Sequence, residues 1–564
     1  MTKPLEEYTR DELIEVINSL KNQKKFGLVW EDKPEKVAEE CKEKLPTLKE
    51  VIERKIEKAP DDETNIIIEG DNYHALSVLN YTHANKIDVI YIDPPYNTGN
   101  RDWRYNNDYV DVEDPFRHTK WISMMSKRLI LSKNLLSETG FIVCAIDHYE
   151  LFYLGALMDQ IFGEENRIGI VAVVHKSEGR NQEKFFGTSH EYALFYAKNK
   201  KKANFQKVAL NDDVLETFDK KDNIGLYRLN DYLRSGGGDH NLKINKPHFF
   251  YPIYVSKDGK DITLEEKQDY EKILPITERG QERTWKTKSD TFLQRLKQGL
   301  ISAERDKNGK MHVYEKYYEN QVIKTHWIDP KYHAIHYGTK IVDDIIGKGQ
   351  FNFPKSLYLI EDIIKLTAPK ESIILDFFAG SGTTGHAILE LNKNDGGHRR
   401  VILCTNNENK IAEEVTYPRM KTVITGKRDD GSKYSEGIPA NLRYFKTSFI
   451  DKSETKDKLR RELCPACEDM IRIREGAFEK IIDDDMLKVY KNKRGLTAII
   501  YDRFDISNYI EKIESLETDT PVHLYLFSYD KNNRMDEIPK NVKHIYENQP
   551  IPEGVLEVYK KIFK

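Results

Sequence analysis

The sequence predicts an α/β protein. Short apolar runs bounded by turn residues recur in two separate stretches of the chain, each interleaved with helical segments. Runs without an alternating polar face are what strands buried on both sides require. Each stretch also ends one strand on a carboxylate followed by an unusual turn. The first is Asp93-Pro94-Pro95-Tyr96 and the second is Asp376-Phe377-Phe378-Ala379-Gly380-Ser381-Gly382.

In chain order, residues 1–62 are dense in Glu and Lys, with Leu13, Ile14, Val16, Ile17 and Leu20 at helical spacing, and predict an N-terminal helical segment. The first α/β stretch, 63–175, has strands at 65–69 and 87–92 around a helix at 74–82, then a helix at 121–136 and a strand at 140–146. Alternation is lost over 176–340, which holds Gly236-Gly237-Gly238, isolated aromatics and more basic than acidic residues. The net charge of −4 is therefore an average over a mildly basic middle and acidic flanks. The α/β pattern resumes over 341–430, with a strand at 372–376, the Gly-rich turn, a helix at 384–391 and a strand at 400–404. A last region, 431–564, has strands at 497–501 and 522–527.

At 564 residues the chain exceeds one compact core and predicts about three to four domains. A composition 39% hydrophobic and 11% aromatic excludes a largely disordered chain. Its opening residues are charged and predict no secretory signal, and no apolar run approaches the roughly 18 residues of a membrane helix. Five cysteines (Cys41, Cys144, Cys404, Cys464, Cys467) make no disulfide scaffold, which predicts a reduced, cytoplasmic protein. Cys464 and Cys467 have zinc or redox spacing but lack a second pair, so no metal is expected.

The chemistry lies in the two turns. Pro94 and Pro95 remove two amide donors and stiffen the backbone, so the carbonyls of that turn point in fixed directions. With Asp93 before them and Tyr96 after, the turn suits a flat ring bearing an amino group: carboxylate and carbonyl accept, and the phenol stacks. An Asp-capped Pro-Pro turn with Tyr96 as packing is the plainer alternative. In the second turn Gly380 and Gly382 let a ligand approach the backbone ahead of a helix N-terminus. The Gly-Lys-Ser/Thr ending of a phosphate-binding loop is missing, which favours a nucleoside with a carboxylate or amine tail. A tight turn required by helix–sheet packing is the alternative there.

Taken together, the turns make the sequence resemble the S-adenosylmethionine-dependent DNA amino-methyltransferases of the beta group, in which the DPPY motif precedes the FxGxG motif. Neighbouring words resemble the modification subunits of type III restriction–modification systems: Gly70-Asp71-Asn72, Tyr96-Asn97-Thr98-Gly99-Asn100, His190-Glu191-Tyr192, Phe353-Pro354-Lys355-Ser356, Cys404-Thr-Asn-Asn-Glu-Asn409 and Tyr417-Pro418-Arg419. The resemblance covers about 25–200 and 340–425, weakens between them and is near absent after about 450.

The resemblance implies a Rossmann-like, doubly wound, circularly permuted sheet with S-adenosylmethionine as cofactor. Residues 63–175 and 341–430 would be its two halves, 176–340 an inserted α+β target-recognition domain, and 431–564 an α/β C-terminal region. Asp93 and Pro94, stiffened by Pro95, would hold the amine and Tyr96 would stack on the extruded base. Asp376, Phe378, Ala379, Gly380, Ser381, Gly382 and Thr383 would form the cofactor turn. Phe353, Lys355 and Ser356 would close over the methionine end, and Asp71 and Asn72 would lie at the cofactor adenine. Where many such enzymes carry an acidic ribose ligand this chain has Thr405 or Asn406, with Glu408 further on, so Asn406 and Glu408 are the candidates. The implied substrate is adenine N6 in double-stranded DNA, with cytosine N4 as alternative. Implied partners are a second copy of the chain and a separate helicase–nuclease subunit. A solitary methyltransferase and a non-catalytic DNA-recognition subunit are the other readings. Arg180, Arg234, Lys243, Arg283, Lys286 and Lys288 are the candidate DNA contacts.

Overall fold

The structure is a computed structural model. It describes residues 9–10, 13–14, 30–59, 62–106, 108–176, 179, 185–206, 218–223, 225–234, 241–318, 323–452, 455–502, 504–516, 521–527, 538–539, 542, 544 and 546–563. Contacts divide the chain into two compact units, one of 1–206 and 324–564, the other of 207–323.

The first unit is built on one mixed sheet. In chain order its main strands are β1 (Lys44–Glu50), β2 (Thr64–Glu69), β3 (Ile87–Ile92), β4 (Leu136–Ile146), β5 (Arg167–Val174), β6 (His190–Ala197), β7 (His326–Trp327), β8 (Ile373–Asp376), β9 (Arg400–Thr405) and β10 (Asn441–Asp451), with the short Ile56–Glu57 also paired to β10. Across the sheet they lie in the order β1-β10-β2-β9-β8-β3-β4-β6-β5-β7. From β10 to β4 every neighbouring pair is parallel. Beyond them β6 runs antiparallel between β4 and β5, and β1 closes the other edge antiparallel to β10. The parallel strands are the apolar runs of the sequence: Ile66, Ile67, Ile68, Ile90, Ile92, Leu375 and Leu403 are all buried.

The helices of this unit include α1 (Lys36–Glu43), α2 (Asn72–Thr82), α3 (Arg117–Leu135), α4 (Leu151–Phe162), α5 (Leu357–Thr367), α6 (Thr383–Asp395), α7 (Tyr417–Thr425) and α8 (Lys456–Glu475). Crossovers through α2 and α3 step one way along the sheet, while those through α6 and α7 step the other way. Because such crossovers are right-handed, the two sets cover opposite faces. This is a doubly wound Rossmann-like arrangement. Its switch point is the β8–β3 pair, where Leu375 lies opposite Ile90, so Asp376 and the residues after Ile92 leave the sheet at the same end.

Three expectations are corrected. The segment 1–62 is not purely helical, since β1 follows α1 directly and buries Leu45 and Leu48. Its short apolar stretch is hidden among lysines and glutamates, and Pro46 is tolerated because β1 is an edge strand. The unit 207–323 is narrower than the predicted 176–340, because β6 and β7 belong to the main sheet. The expected break at 431 falls before β10, which pairs with β2. After β10, α8 leads into a five-stranded sheet of Glu479–Asp483, Leu487–Asn492, Gly495–Ile500, Val522–Phe527 and Tyr546–Ile551. Leu463, Cys464, Cys467, Tyr490, Tyr525 and Tyr559 share one apolar cluster with Leu76 and Leu79 of α2. Both cysteines of the Cys464–Cys467 pair are thus core residues, and burial pushes the Cys464 thiol up to about 12.

The second unit is α+β. Lys220–Lys221, Leu226–Asp231, Met311–Tyr318 and Ile301–Arg305 form an antiparallel sheet, and Ile253–Val255 pairs with Ile262–Thr263 and Glu271–Ile273 in another. Tyr232, Trp285 and Phe292 centre its core, with Phe292 contributed by the helix Ser289–Lys297. The triple glycine at 236–238 lies outside the described residues. No helix among the described residues is long and apolar enough to cross a membrane.

Candidate active site

The turn after β3 brings Asp93 to the switch point, and its side chain meets residues from two distant parts of the chain. Lys355 Nζ lies 2.8 Å from Asp93 Oδ1 and 3.3 Å from Glu191 Oε2. Lys355 donates to the Tyr96 hydroxyl at 2.6 Å, and that hydroxyl donates to Glu191 Oε2 at 2.9 Å. The ammonium also stands 4.8 Å from the centre of the Tyr96 ring. Although Asp93 Oδ1 is buried and close to Lys355, no donor among the described residues is aligned on it as a hydrogen bond. Burial raises the Asp93 carboxyl above its ordinary range, opposed by Lys355 and reinforced by Glu191.

The backbone of this turn is fixed from below. Trp121 Nε1 donates to the Pro95 carbonyl at 2.7 Å, leaving the Pro94 carbonyl without a donor among the described residues. Asn97, fully buried with φ 57°, donates its amide to Glu150 Oε1 and accepts from Trp103 Nε1 at 2.9 Å. Glu150 Oε1 also meets His118 Nδ1 at 2.6 Å, and burial pushes this carboxyl up to about 8.

The turn after β8 is built around Asp376. It accepts from the Phe378 amide at 3.0 Å and from the Thr384 hydroxyl at 2.6 Å, so this carboxylate shapes the turn. Burial pushes it up to about 7. Gly380 and Gly382 take φ of 48° and 76°, the left-handed region that glycine enters without strain. Behind the turn, the fully buried Arg419 donates to the Ser381 carbonyl at 3.2 Å, to Ser381 Oγ at 3.1 Å and to Thr383 Oγ1 at 2.8 Å. Thr416 Oγ1 donates to the Gly380 carbonyl at 2.6 Å.

Asn72 ties the start of α2 to the second turn, and Arg128 holds it together with Asp71. Asn72 donates to the Phe377 carbonyl at 2.9 Å, and its amide oxygen accepts from Arg128 Nε. Asp71 caps α2 by accepting from the Tyr73 amide at 2.7 Å and pairs with Arg128 at 3.0 Å. Gly70 before them has φ 149°, and a Cβ there would stand 2.1 Å from Thr447 Oγ1 of β10.

The structure therefore brings Asp93, Tyr96 and Lys355 together and places Asp71, Asn72 and 376–383 beside them. It separates others. Phe353 is 88% exposed, and Phe351 is the ring that reaches the Gly-rich turn, with its Cζ 3.3 Å from where a Cβ on Gly380 would sit. Ser356 is buried and gives its hydroxyl to the Lys331 carbonyl at 2.7 Å. Asn406 and Glu408 are exposed, and Asn406 Oδ1 accepts from the Glu408 amide at 3.3 Å. Sequence reasoning quoted Glu191 and Arg419 only inside resembling words. A charge near the start of the apolar strand β6, and an arginine on the buried side of α7, were the available signals. In the second unit, Arg234 donates to the Lys286 carbonyl at 2.9 Å, Lys243 pairs with Glu282 at 2.9 Å and Lys286 with Glu315 at 3.6 Å. Arg283 Nε donates to Gln281 at 3.1 Å and Lys288 is exposed; Arg180 lies outside the described residues.

These residues fit the implied nucleoside cofactor. The N-terminus of α6 starts at Gly382 with no side-chain cap, which leaves first-turn amides for a polar ligand. The buried Tyr91 hydroxyl of β3, between Asp93 and Asp376 in electrostatic reach, has no partner among the described residues. Among the described residues no group of three or more His, Cys, Asp or Glu is gathered as for a metal.

Comparison with known proteins agrees with this geometry. Residues 87–416, more than half of the chain, match the family described as DNA methylase. The chain is 34% identical over 394 residues to the type II methyltransferase M.KpnI of Klebsiella pneumoniae, covering 69% of this chain and 90% of that protein. It is 29% identical over 381 residues to the type III EcoPI Mod subunit of Escherichia phage P1, and 31% identical over 383 residues to the StyLTI Mod subunit of Salmonella typhimurium. Those alignments cover 61% and 63% of this chain but only 58% and 54% of the two Mod subunits. With both motif turns at the switch point of a doubly wound sheet, the chain belongs to the DNA methylase family, and it is an enzyme of DNA methylation.

Proposed function

We propose that this chain methylates the N6 amino group of adenine in duplex DNA, using S-adenosylmethionine, as the modification subunit of a type III-like restriction–modification system. The observation that carries the reading is the buried Asp93 Oδ1, paired with Lys355 but without an aligned hydrogen-bond donor among the described residues, at the end of the strand next to the Gly-rich turn. When bound, the cofactor supplies an electrophilic methyl group on a sulfonium sulfur.

The chain's own residues do the rest. Gly380, Gly382 and the uncapped start of α6 hold the cofactor's polar tail, with Asp71 and Asn72 toward its adenine. Asp93 and the Pro94 carbonyl accept the two N–H bonds of the target amine. An aryl amine is a weak nucleophile because its lone pair is delocalised into the ring. Holding both N–H groups on fixed acceptors favours a pyramidal nitrogen whose lone pair faces the methyl donor. Once the amine had taken the methyl from sulfur, leaving a neutral thioether, its remaining N–H would be acidic, and Asp93 is placed to accept that proton. Tyr96, held through its hydroxyl, gives the extruded base a stacking face, which offsets the few kcal/mol lost on leaving the duplex. The unit 207–323 reads the DNA sequence.

Labelled methyl transfer to duplex DNA tests the role of Asp93. Asp93→Ala should cut transfer by about 10²-fold or more while cofactor affinity stays nearly unchanged, since positioned polar groups contribute about that much. Equal loss of transfer and cofactor binding contradicts the assignment. The cover of M.KpnI, 90% of that protein, favours a second reading as a methyltransferase that works without a restriction subunit. Copurification of a helicase–nuclease partner, and the mass of the purified chain as one copy or two, distinguish the readings.

A further inference from the structure

We propose that Lys355 and Glu191 are positioning residues that set the charge on Asp93. Lys355 holds the buried carboxylate ionised as an acceptor, and Glu191 tethers the ammonium beside Tyr96. The proposal rests on Asp93 being the acceptor of the target amine.

The geometry is a closed cluster of four groups from three parts of the chain. One ammonium lies between two carboxylates, at 2.8 Å from Asp93 and 3.3 Å from Glu191, and bridges them a second time through the Tyr96 hydroxyl. All three charged side chains are largely buried: Lys355 is 12% exposed, Glu191 8% and Asp93 26%. Two carboxylates this close, out of water and without a cation, would share a proton. Lys355 prevents that, and its own acidity is suppressed by Asp93 and Glu191 against the opposing effect of burial. The other groups facing Asp93 are the Tyr91 phenol of its own strand and Asp376 of β8. Burial first, then the surrounding carboxylates, keep both phenols neutral.

Ionisation of Asp93 matters because a protonated Asp93 would offer its O–H to the amine nitrogen. That hydrogen bond engages the lone pair needed for attack. Methylation therefore falls on the acid side with protonation of Asp93, and the two neighbours act on this limb in opposite directions. Removing the cation Lys355 moves the limb to higher pH, and removing the anion Glu191 moves it to lower pH. Residues that served only to support the fold would lower the rate without opposed shifts.

Single-turnover methylation of duplex DNA by the full chain, at saturating S-adenosylmethionine from about pH 5 to pH 9, reads the limb. Lys355→Met should raise its midpoint by about one unit or more, and Glu191→Gln should lower it, as expected for charges in direct contact with a carboxyl. Lys355→Arg, which keeps the charge, should leave the midpoint near the wild type even if the rate drops. Midpoints that stay fixed, or move the same way in both Lys355→Met and Glu191→Gln, overturn the proposal, as does a Lys355→Arg limb that follows Lys355→Met. Asp93→Ala, run in parallel, separates the two readings. If it methylates at a rate near the wild type, the acceptor role falls and this proposal with it. If it is inactive and the limbs are not opposed, only the roles of Lys355 and Glu191 fall.

Discussion

Arg419 shows how a single side chain shapes a ligand turn without facing the ligand. It is fully buried and has no carboxylate partner among the described residues, and burial lowers its guanidinium to about 9. Its Nη1 donates to the Ser381 carbonyl and to the hydroxyls of Ser381 and Thr383, while Nη2 meets His386 Nδ1 at 3.3 Å. A cation kept out of water on such terms is costly, so its removal should be felt where those bonds act. Arg419→Met keeps the volume and removes the bonds. Isothermal titration should show S-adenosylmethionine affinity weakened by about tenfold, the loss of one charged hydrogen bond of about 1.5 kcal/mol. An unchanged affinity with only a lower melting temperature would make Arg419 a fold residue alone. The sequence displays Arg419 but not its partners: three donor contacts reaching from α7 back to 381–383 are set by helix packing, which spacing along the chain does not encode.

At the scale of elements, the two turns were legible because each announces itself locally. Asp-Pro-Pro-Tyr and a Gly-Ser-Gly turn demand particular backbone shapes, and each follows an apolar run that reads as a buried strand. That β3 and β8 are neighbours was implied by resemblance and is now seen in the register of Leu375 against Ile90. What escaped the sequence was the clamp beneath the first turn, because Asn97, His118 and Glu150 come from a loop and the starts of two helices. Burial raises Glu150 from the ordinary 4.5 to about 8, so its neutral form is favoured in the folded state. Its contribution to stability is thus full below about pH 4.5 and is lost as pH rises toward 8. His118 is depressed by burial and acts with the opposite sign below its ordinary 6.5, which leaves pH 6.5 to 8 as the clean window. Over that window the wild-type melting temperature should fall more steeply than that of Glu150→Gln, which keeps an acceptor for Asn97 and cannot ionise. Parallel curves from differential scanning calorimetry would show that Glu150 does not titrate there.

For the whole molecule, the sequence indicated a split α/β fold around an insertion but misjudged its joints. Edge strands β1 and β7 sit in stretches whose composition resembles loops or surface helices, and the sheet alone reveals them. The C-terminal region was opaque because its core is shared: Cys467, Tyr490, Tyr525 and Tyr559 pack in the cluster that holds Leu76 and Leu79. Truncation after Asp451 should therefore expose apolar surface of the catalytic unit and yield aggregated protein, and a soluble, cofactor-binding product would contradict that packing. Replacing 207–323 with a flexible Gly-Ser linker should behave differently, since this unit has its own core around Tyr232, Trp285 and Phe292. The expected product keeps a cooperative melt and binds S-adenosylmethionine but loses site-specific methylation. The most direct test of the account is chromatography of the nucleosides from duplex DNA treated with the full chain and S-adenosylmethionine. N6-methyladenine at one sequence context, absent with Asp93→Ala, is the predicted result; N4-methylcytosine, or undiminished N6-methyladenine from Asp93→Ala, would contradict it.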